Sequence, residues 1–146
     1  MPATTSQIDV RGPRFGAWIT TVVLAVVLVT GWWPLLAAQA VVFAVGAGFG
    51  LSRAPYGLVF RHLVAPRLGP VREREDAAPP RFAQAVGFVF AAIGVVGYAA
   101  GLTPLGLVAT ALALIAALLN AAVGFCLGCE MYLLLTRTKT IVGATR

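Results

Sequence analysis

Four stretches of this chain, residues 15–31, 35–51, 82–102 and 105–135, run for 17, 17, 21 and 31 residues with Glu130 as their only charge. No other feature limits the fold as strongly. A helix rises about 1.5 Å per residue and a bilayer's hydrocarbon core is about 30 Å thick, so roughly 17–25 apolar residues make one crossing. The composition also suits a bilayer: 60% of residues are hydrophobic, 11% are charged and the mean hydropathy is +0.91. Soluble domains carry about 25% charged residues. A chain of 146 residues has too little interior to hide this much apolar surface from water. The expected fold is all-α: a polytopic membrane protein with four transmembrane helices near 15–31, 35–51, 82–102 and 105–128.

The connections agree with this. Trp32-Trp33-Pro34 supplies headgroup-depth aromatics and a helix-starting proline between the first two runs, and Thr103-Pro104 separates the last two. Ala38-Gln39-Ala40 has the look of a leader cleavage site, but the tryptophan pair before it and equally apolar sequence after it argue for an uncleaved span. Residues 1–14 read as a polar tail without a fold of its own, and 136–146 as a basic tail. Residues 52–81 form the one long polar loop, where Pro55, Pro66, Pro70, Pro79 and Pro80 exclude a continuous helix. Tyr56 to Val64 is expected to form a short helix lying in the interface. The last run is too long for one crossing, so residues from about Cys126 onward lie at the interface unless the helix tilts or breaks.

Orientation follows from charge. All 11 Lys and Arg lie in the two tails and the long loop, and neither tight turn holds one. Positive residues stay on the cytoplasmic side, which puts both termini and the loop inside. The expected location is the inner (cytoplasmic) membrane, multi-pass, with the lipid bilayer as the first partner. The net charge of +6 is accounted for this way, so a nucleic-acid partner is not expected. Whether the chain forms a homo-oligomer stays open.

The chain also repeats. Pro13-Arg14-Phe15 opens the first hairpin and Pro80-Arg81-Phe82 the second; each turn ends in a proline, Pro34 or Pro104. The second spans close alike, with Gly48-Phe49-Gly50-Leu51 against Gly124-Phe125-Cys126-Leu127. This reads as two tandem, like-oriented hairpins. Gly46-x-x-x-Gly50 and Gly124-x-x-x-Gly128 have the spacing of close helix packing in lipid. Asn120 needs a partner in hydrocarbon, with Gln39 and Thr110 as candidates.

Chemistry shows in one place. Cys126 and Cys129 are the only cysteines, and they replace Gly50 and Arg53 of the first copy. Three residues apart on a helix, they share a face, where they can form a disulfide or share a soft metal. A position near the end of the last long helix would set the dipole against a thiolate. A cytoplasmic position disfavours a permanent disulfide, so a bond there would be transient. Three readings stay open: thiol-redox or sulfur relay with Cys126 and Cys129 as the reacting pair; soft-metal binding by Cys126, Cys129, His62 and Glu130; and a structural subunit without chemistry. No intrinsic cofactor is expected, and an enzymatic activity is neither required nor excluded.

Arg11-Gly12-Pro13-Arg14-Phe15, Pro55-Tyr56-Gly57, Pro79-Pro80-Arg81-Phe82-Ala83-Gln84 and Phe125-Cys126-Leu127-Gly128-Cys129-Glu130-Met131-Tyr132 together resemble a bacterial family, frequent in actinobacteria, of small membrane proteins: domain-of-unknown-function family 4395. The resemblance covers nearly the whole chain and implies a four-helix integral membrane protein without an assigned activity. It also implies association with thioredoxin-like or sulfurtransferase proteins, which favours the thiol reading.

Overall fold

The computed structural model describes residues 7–71 and 73–144. Residues 1–6, with part of the expected N-terminal tail, and Arg72, Thr145 and Arg146 lie outside them. Strand β1 (Gln7–Asp9) leads into α1 (Arg11–Thr30) and α2 (Trp33–Phe49). A 3-10 turn (Leu51–Arg53), α3 (Pro55–Val59), a π-helical turn (Phe60–Val64) and α4 (Ala65–Leu68) then follow. Strand β2 (Arg74–Asp76) introduces α5 (Ala78–Ala99), α6 (Thr103–Val123) and α7 (Leu127–Ala144). The fold is helical apart from the two three-residue strands, which pair antiparallel.

Among the described residues, three helices are long and apolar enough to cross a membrane: α1, α5 and α6, with mean hydropathies of 1.7, 1.8 and 2.2. Helix α2 is apolar but has 17 residues. Several boundaries differ from the sequence expectation, each for a local reason. The first helix begins at Arg11, inside the expected tail, where the Asp9 carboxylate, one residue ahead of the N-cap Val10, accepts the first helical N–H at 3.0 Å. Helix α5 begins at Ala78 and runs through Pro79 and Pro80, since proline is tolerated in a first turn whose N–H groups have no intrahelical partner. The last helix, α7, carries helical structure through most of the expected C-terminal tail.

The two copies interlock. Helix α1 packs mainly on α6, and α2 mainly on α5, so each opening helix rests on the closing helix of the other copy. Arg14 Nη2 donates to the Ala121 carbonyl at the end of α6 (3.2 Å), while Arg81 donates to the Ala47 and Gly48 carbonyls at the end of α2 (3.0 and 2.8 Å from Nη2). Such cations satisfy the last carbonyls and complement the helix dipole. Phe15 meets Phe60 and Phe82 meets Tyr132, each with ring centroids 5.8 Å apart. Sixty-seven positions separate Pro13 from Pro80, Asp9 from Asp76 and Ile8 from Glu75. Ile8 pairs with Glu75, so each sits opposite its own counterpart, and a local two-fold axis passes between them. All four long-helix ends that these contacts join lie at the strand end of the bundle, and both turns lie at the other.

The core is small. Leu24, Val27, Leu36, Ala40, Phe43, Ala91 and Ala113 form one buried cluster. Large apolar side chains such as Val22, Leu112 and Ile115 remain half exposed on the outer faces, as expected where lipid is the solvent. Gln39, 1% exposed, lies 3.5 Å from Thr20 Oγ1 and accepts the Tyr56 hydroxyl at 2.5 Å. This buried amide thus serves α1 and α3, and not Asn120 as expected. Thr110 Oγ1 is buried without a partner among the described residues.

Two carboxylates at the strand pair have opposite environments. The Arg11 side chain, hydrogen-bonded to Asp9, holds that carboxyl below its usual range. Burial, reinforced by Glu73, pushes Glu75 up. A depressed carboxyl stabilises the fold above the unfolded value near 4 and loses that contribution as pH falls through the lower folded value. A raised one costs stability once pH exceeds the same unfolded value. Asp9→Asn is therefore expected to lower the thermal midpoint of detergent-solubilised protein at pH 7, and Glu75→Gln to raise it. Both differences should shrink towards zero below about pH 4; midpoints taken across pH 3–7 check the signs.

Candidate functional site

The last long apolar run does not form one helix. Gly124 adopts a left-handed conformation (φ 73°) and its N–H returns to the Asn120 carbonyl at 3.0 Å, with the Phe125 N–H on Leu119 O at 3.2 Å. This is a helix stop that glycine makes without the strain a Cβ would bring. Gly50 ends α2 with φ 96°. Neither glycine therefore lies inside a helix, and the two Gly-x-x-x-Gly spacings are not helix-interior packing motifs. Gly128 does make a close approach: a Cβ there would sit 2.6 Å from Ala83 Cα. Together with Tyr132 on Phe82, it docks α7 onto the first turns of α5.

The break moves the cysteines from the end of one helix to the start of another. Cys126 immediately precedes α7, and its carbonyl accepts the Glu130 N–H at 3.0 Å. Its Sγ accepts the Cys129 N–H at 3.1 Å, which is the position of an N-cap side chain. The expected opposition of the dipole is thereby reversed. This N–H and the positive end of α7 favour negative charge on the Cys126 sulfur. Cys126 and Cys129 are joined as a disulfide, with Cα atoms 5.1 Å apart. Both are half-buried.

His62 lies in the π-helical turn of the first copy, while Glu130 is exposed on α7. Among the described residues no group of three or more His, Cys, Asp or Glu is arranged to hold a metal ion. The set Cys126, Cys129, His62 and Glu130 is accordingly not brought together, and only the two cysteines and Glu130 share an element's first turns. Sequence reasoning missed the Thr20–Gln39–Tyr56 contacts, which no local spacing signals. It also missed the bonds from Asp9 and Asp76 to the first N–H groups of α1 and α5, although both stand four residues before the repeated Pro-Arg-Phe.

A family described as Domain of unknown function (DUF4395) matches residues 8–137, and the chain belongs to it. No curated protein and no solved structure matches the chain.

The close seat of Gly128 on Ala83 makes α7 docking sensitive to a single side chain. Gly128→Val is expected to cost about 1–3 kcal/mol through overpacking and to speed tryptic cleavage at Arg137 and Lys139. Gly143→Val, where nothing lies within 4 Å of the new Cβ, should do neither. Limited proteolysis of the two variants beside wild type checks this.

Proposed function

We propose that this family member is a four-span protein of the inner (cytoplasmic) membrane that exchanges disulfides with a thioredoxin-like protein through Cys126 and Cys129. The observation that carries the reading is the cysteine pair bonded across the first turn of α7, with a backbone N–H on the Cys126 sulfur. Helix starts are where thiolates are stabilised and reactive. Placement of all 11 basic residues outside the apolar runs supports both termini inside. The interlocked hairpins support α2 as the fourth span, since 17 residues are at the short end of what crosses a bilayer.

The chemistry is balanced without a cofactor. In the reduced pair, the Cys126 thiolate attacks one sulfur of a partner disulfide, forming a mixed disulfide and releasing a partner thiolate. Cys129 passes its proton to that thiolate and attacks the Cys126 sulfur. The Cys126–Cys129 bond forms, the mixed bond breaks, and the second partner sulfur leaves as a thiolate that takes from water the proton Cys126 gave up on ionising, so the partner leaves as a dithiol with two electrons and two protons gained. The reverse sequence reduces this pair. Direction depends on the relative reduction potentials. A reducing cytoplasm keeps the pair in turnover instead of permanently bonded.

Cys129→Ser should accumulate a mixed disulfide that migrates as a larger species on non-reducing gels and collapses with reductant. Cys126→Ser should abolish it. Absence of any mixed species, together with thiols that stay reduced in wild type, would sink the exchange reading. After reduction, a membrane-impermeant maleimide should label inverted vesicles and spare intact cells. Labelling from outside would overturn the orientation and leave the exchange chemistry standing.

A further inference from the structure

The two copies differ at one more place. In the first, Arg11 covers Asp9: its Nη2 donates to Asp9 Oδ2 at 2.8 Å, and its Nη1 and Nη2 lie 3.3 and 3.4 Å from the Leu68 and Gly69 carbonyls. In the second copy the counterpart of Arg11 is Ala78. Asp76 keeps the backbone bond, accepting the Ala78 N–H on Oδ1 at 3.0 Å, but among the described residues it makes no ion pair. A surface cleft of about 440 Å³ opens at this point, lined by Asp76, Ala78, Arg81, Phe82, Ala85 and Ala47, with Ala77 between.

The lining is ordered along α5. Asp76 lies outermost, ahead of the helix. Arg81 lies about 4.5 Å further in than Ala78, and Ala85 about 10 Å further in, at 1.5 Å per residue. The sequence from the water inwards is thus anion, cation, apolar. Arg81 uses Nε and Nη2 on the Ala47 and Gly48 carbonyls. Of the five N–H donors of a guanidinium, the two on Nη1 remain for another acceptor. An amino-phospholipid has the complementary order: a primary ammonium outermost, a phosphate beneath it, and acyl chains deeper.

We infer that this cleft binds the headgroup of a phosphatidylethanolamine-class lipid. The ammonium donates to Asp76, the phosphate accepts from Arg81, and the chains lie along Phe82 and Ala85. The first copy shows that a cationic hydrogen-bond donor sits on this aspartate even with the neighbouring arginine present, because Arg11 does so beside Arg14. A choline headgroup carries the same charge but has no N–H to donate. A glycerol headgroup has no cation. The inference rests on the membrane reading above and is independent of the thiol chemistry.

The full chain, purified in detergent micelles doped with equal mole fractions of phosphatidylethanolamine, phosphatidylcholine and phosphatidylglycerol, is examined by native mass spectrometry for retained lipid. Wild type should retain phosphatidylethanolamine over phosphatidylcholine by roughly tenfold, the scale of one charge-assisted hydrogen bond. Asp76→Asn should lose the preference, as should Ala78→Arg, which recreates the first copy's arrangement; Asp9→Asn should keep it. Equal retention of the ethanolamine and choline lipids by wild type overturns the inference without reference to any variant, and so does preference for phosphatidylglycerol. A preference that survives Asp76→Asn also overturns it. Alkaline washing of membranes, from which an integral protein does not come off, tests the membrane reading separately.

Discussion

Helix ends at the edge of a hydrocarbon layer carry carbonyls that water no longer reaches freely, and the rest of this structure depends on how those carbonyls are satisfied. The chain solves the problem across the repeat. Arg14, at the start of α1, reaches the end of α6, and Arg81, at the start of α5, reaches the end of α2. Each arginine thus caps the closing helix of the other hairpin. The arginines tie α1 to α6 and α5 to α2 where the two short strands pair at the local two-fold axis.

Much of this was legible in the sequence. Uncharged runs located the long helices, because lipid tolerates no charge there, and the turn residues Trp32-Trp33-Pro34 and Thr103-Pro104 located the reversals. The repeat was legible from Pro-Arg-Phe. Its register at the strands was not, since Asp9 and Asp76 are single polar residues in segments without periodicity. Helix starts were placed late at Phe15 and Phe82 because proline reads as a breaker until its place in the first turn is known. The candidate site was half legible. The cysteine spacing was plain, and the excess length of the last run was noted, but a glycine in an apolar helix does not announce a left-handed stop. Gly124 therefore decided the polarity of the site, and only backbone geometry revealed it.

Both departures from symmetry fall in the second copy and at the same end of the bundle. Gly50 and Arg53 give way to Cys126 and Cys129, while Arg11 gives way to Ala78. In the first copy Arg11 is bonded to Asp9 and set against the Leu68 and Gly69 carbonyls at the end of α4. In the second, the corresponding surface is left open and the sulfur pair is added beside it. The Phe82–Tyr132 contact links the two features, since Phe82 lines the cleft and Tyr132 lies one turn beyond Cys129.

That arrangement separates docking from chemistry on a single helix. Gly128 and Tyr132 hold α7 against α5, whereas Cys126 and Cys129 are joined to each other and the Cys126 sulfur accepts the Cys129 N–H. The Cys126 carbonyl accepts the Glu130 N–H and its sulfur the Cys129 N–H, so Cys126 is held at the start of α7 by backbone contacts besides the disulfide. Opening the disulfide therefore requires no change in the Gly128 seat, and the N–H that caps the Cys126 sulfur is positioned for the thiolate before the bond breaks. A site organised this way is set up in advance by backbone geometry. The polarity of the helix end at the sulfurs then depends on the stop at Gly124, which turns the end of one helix into the beginning of the next.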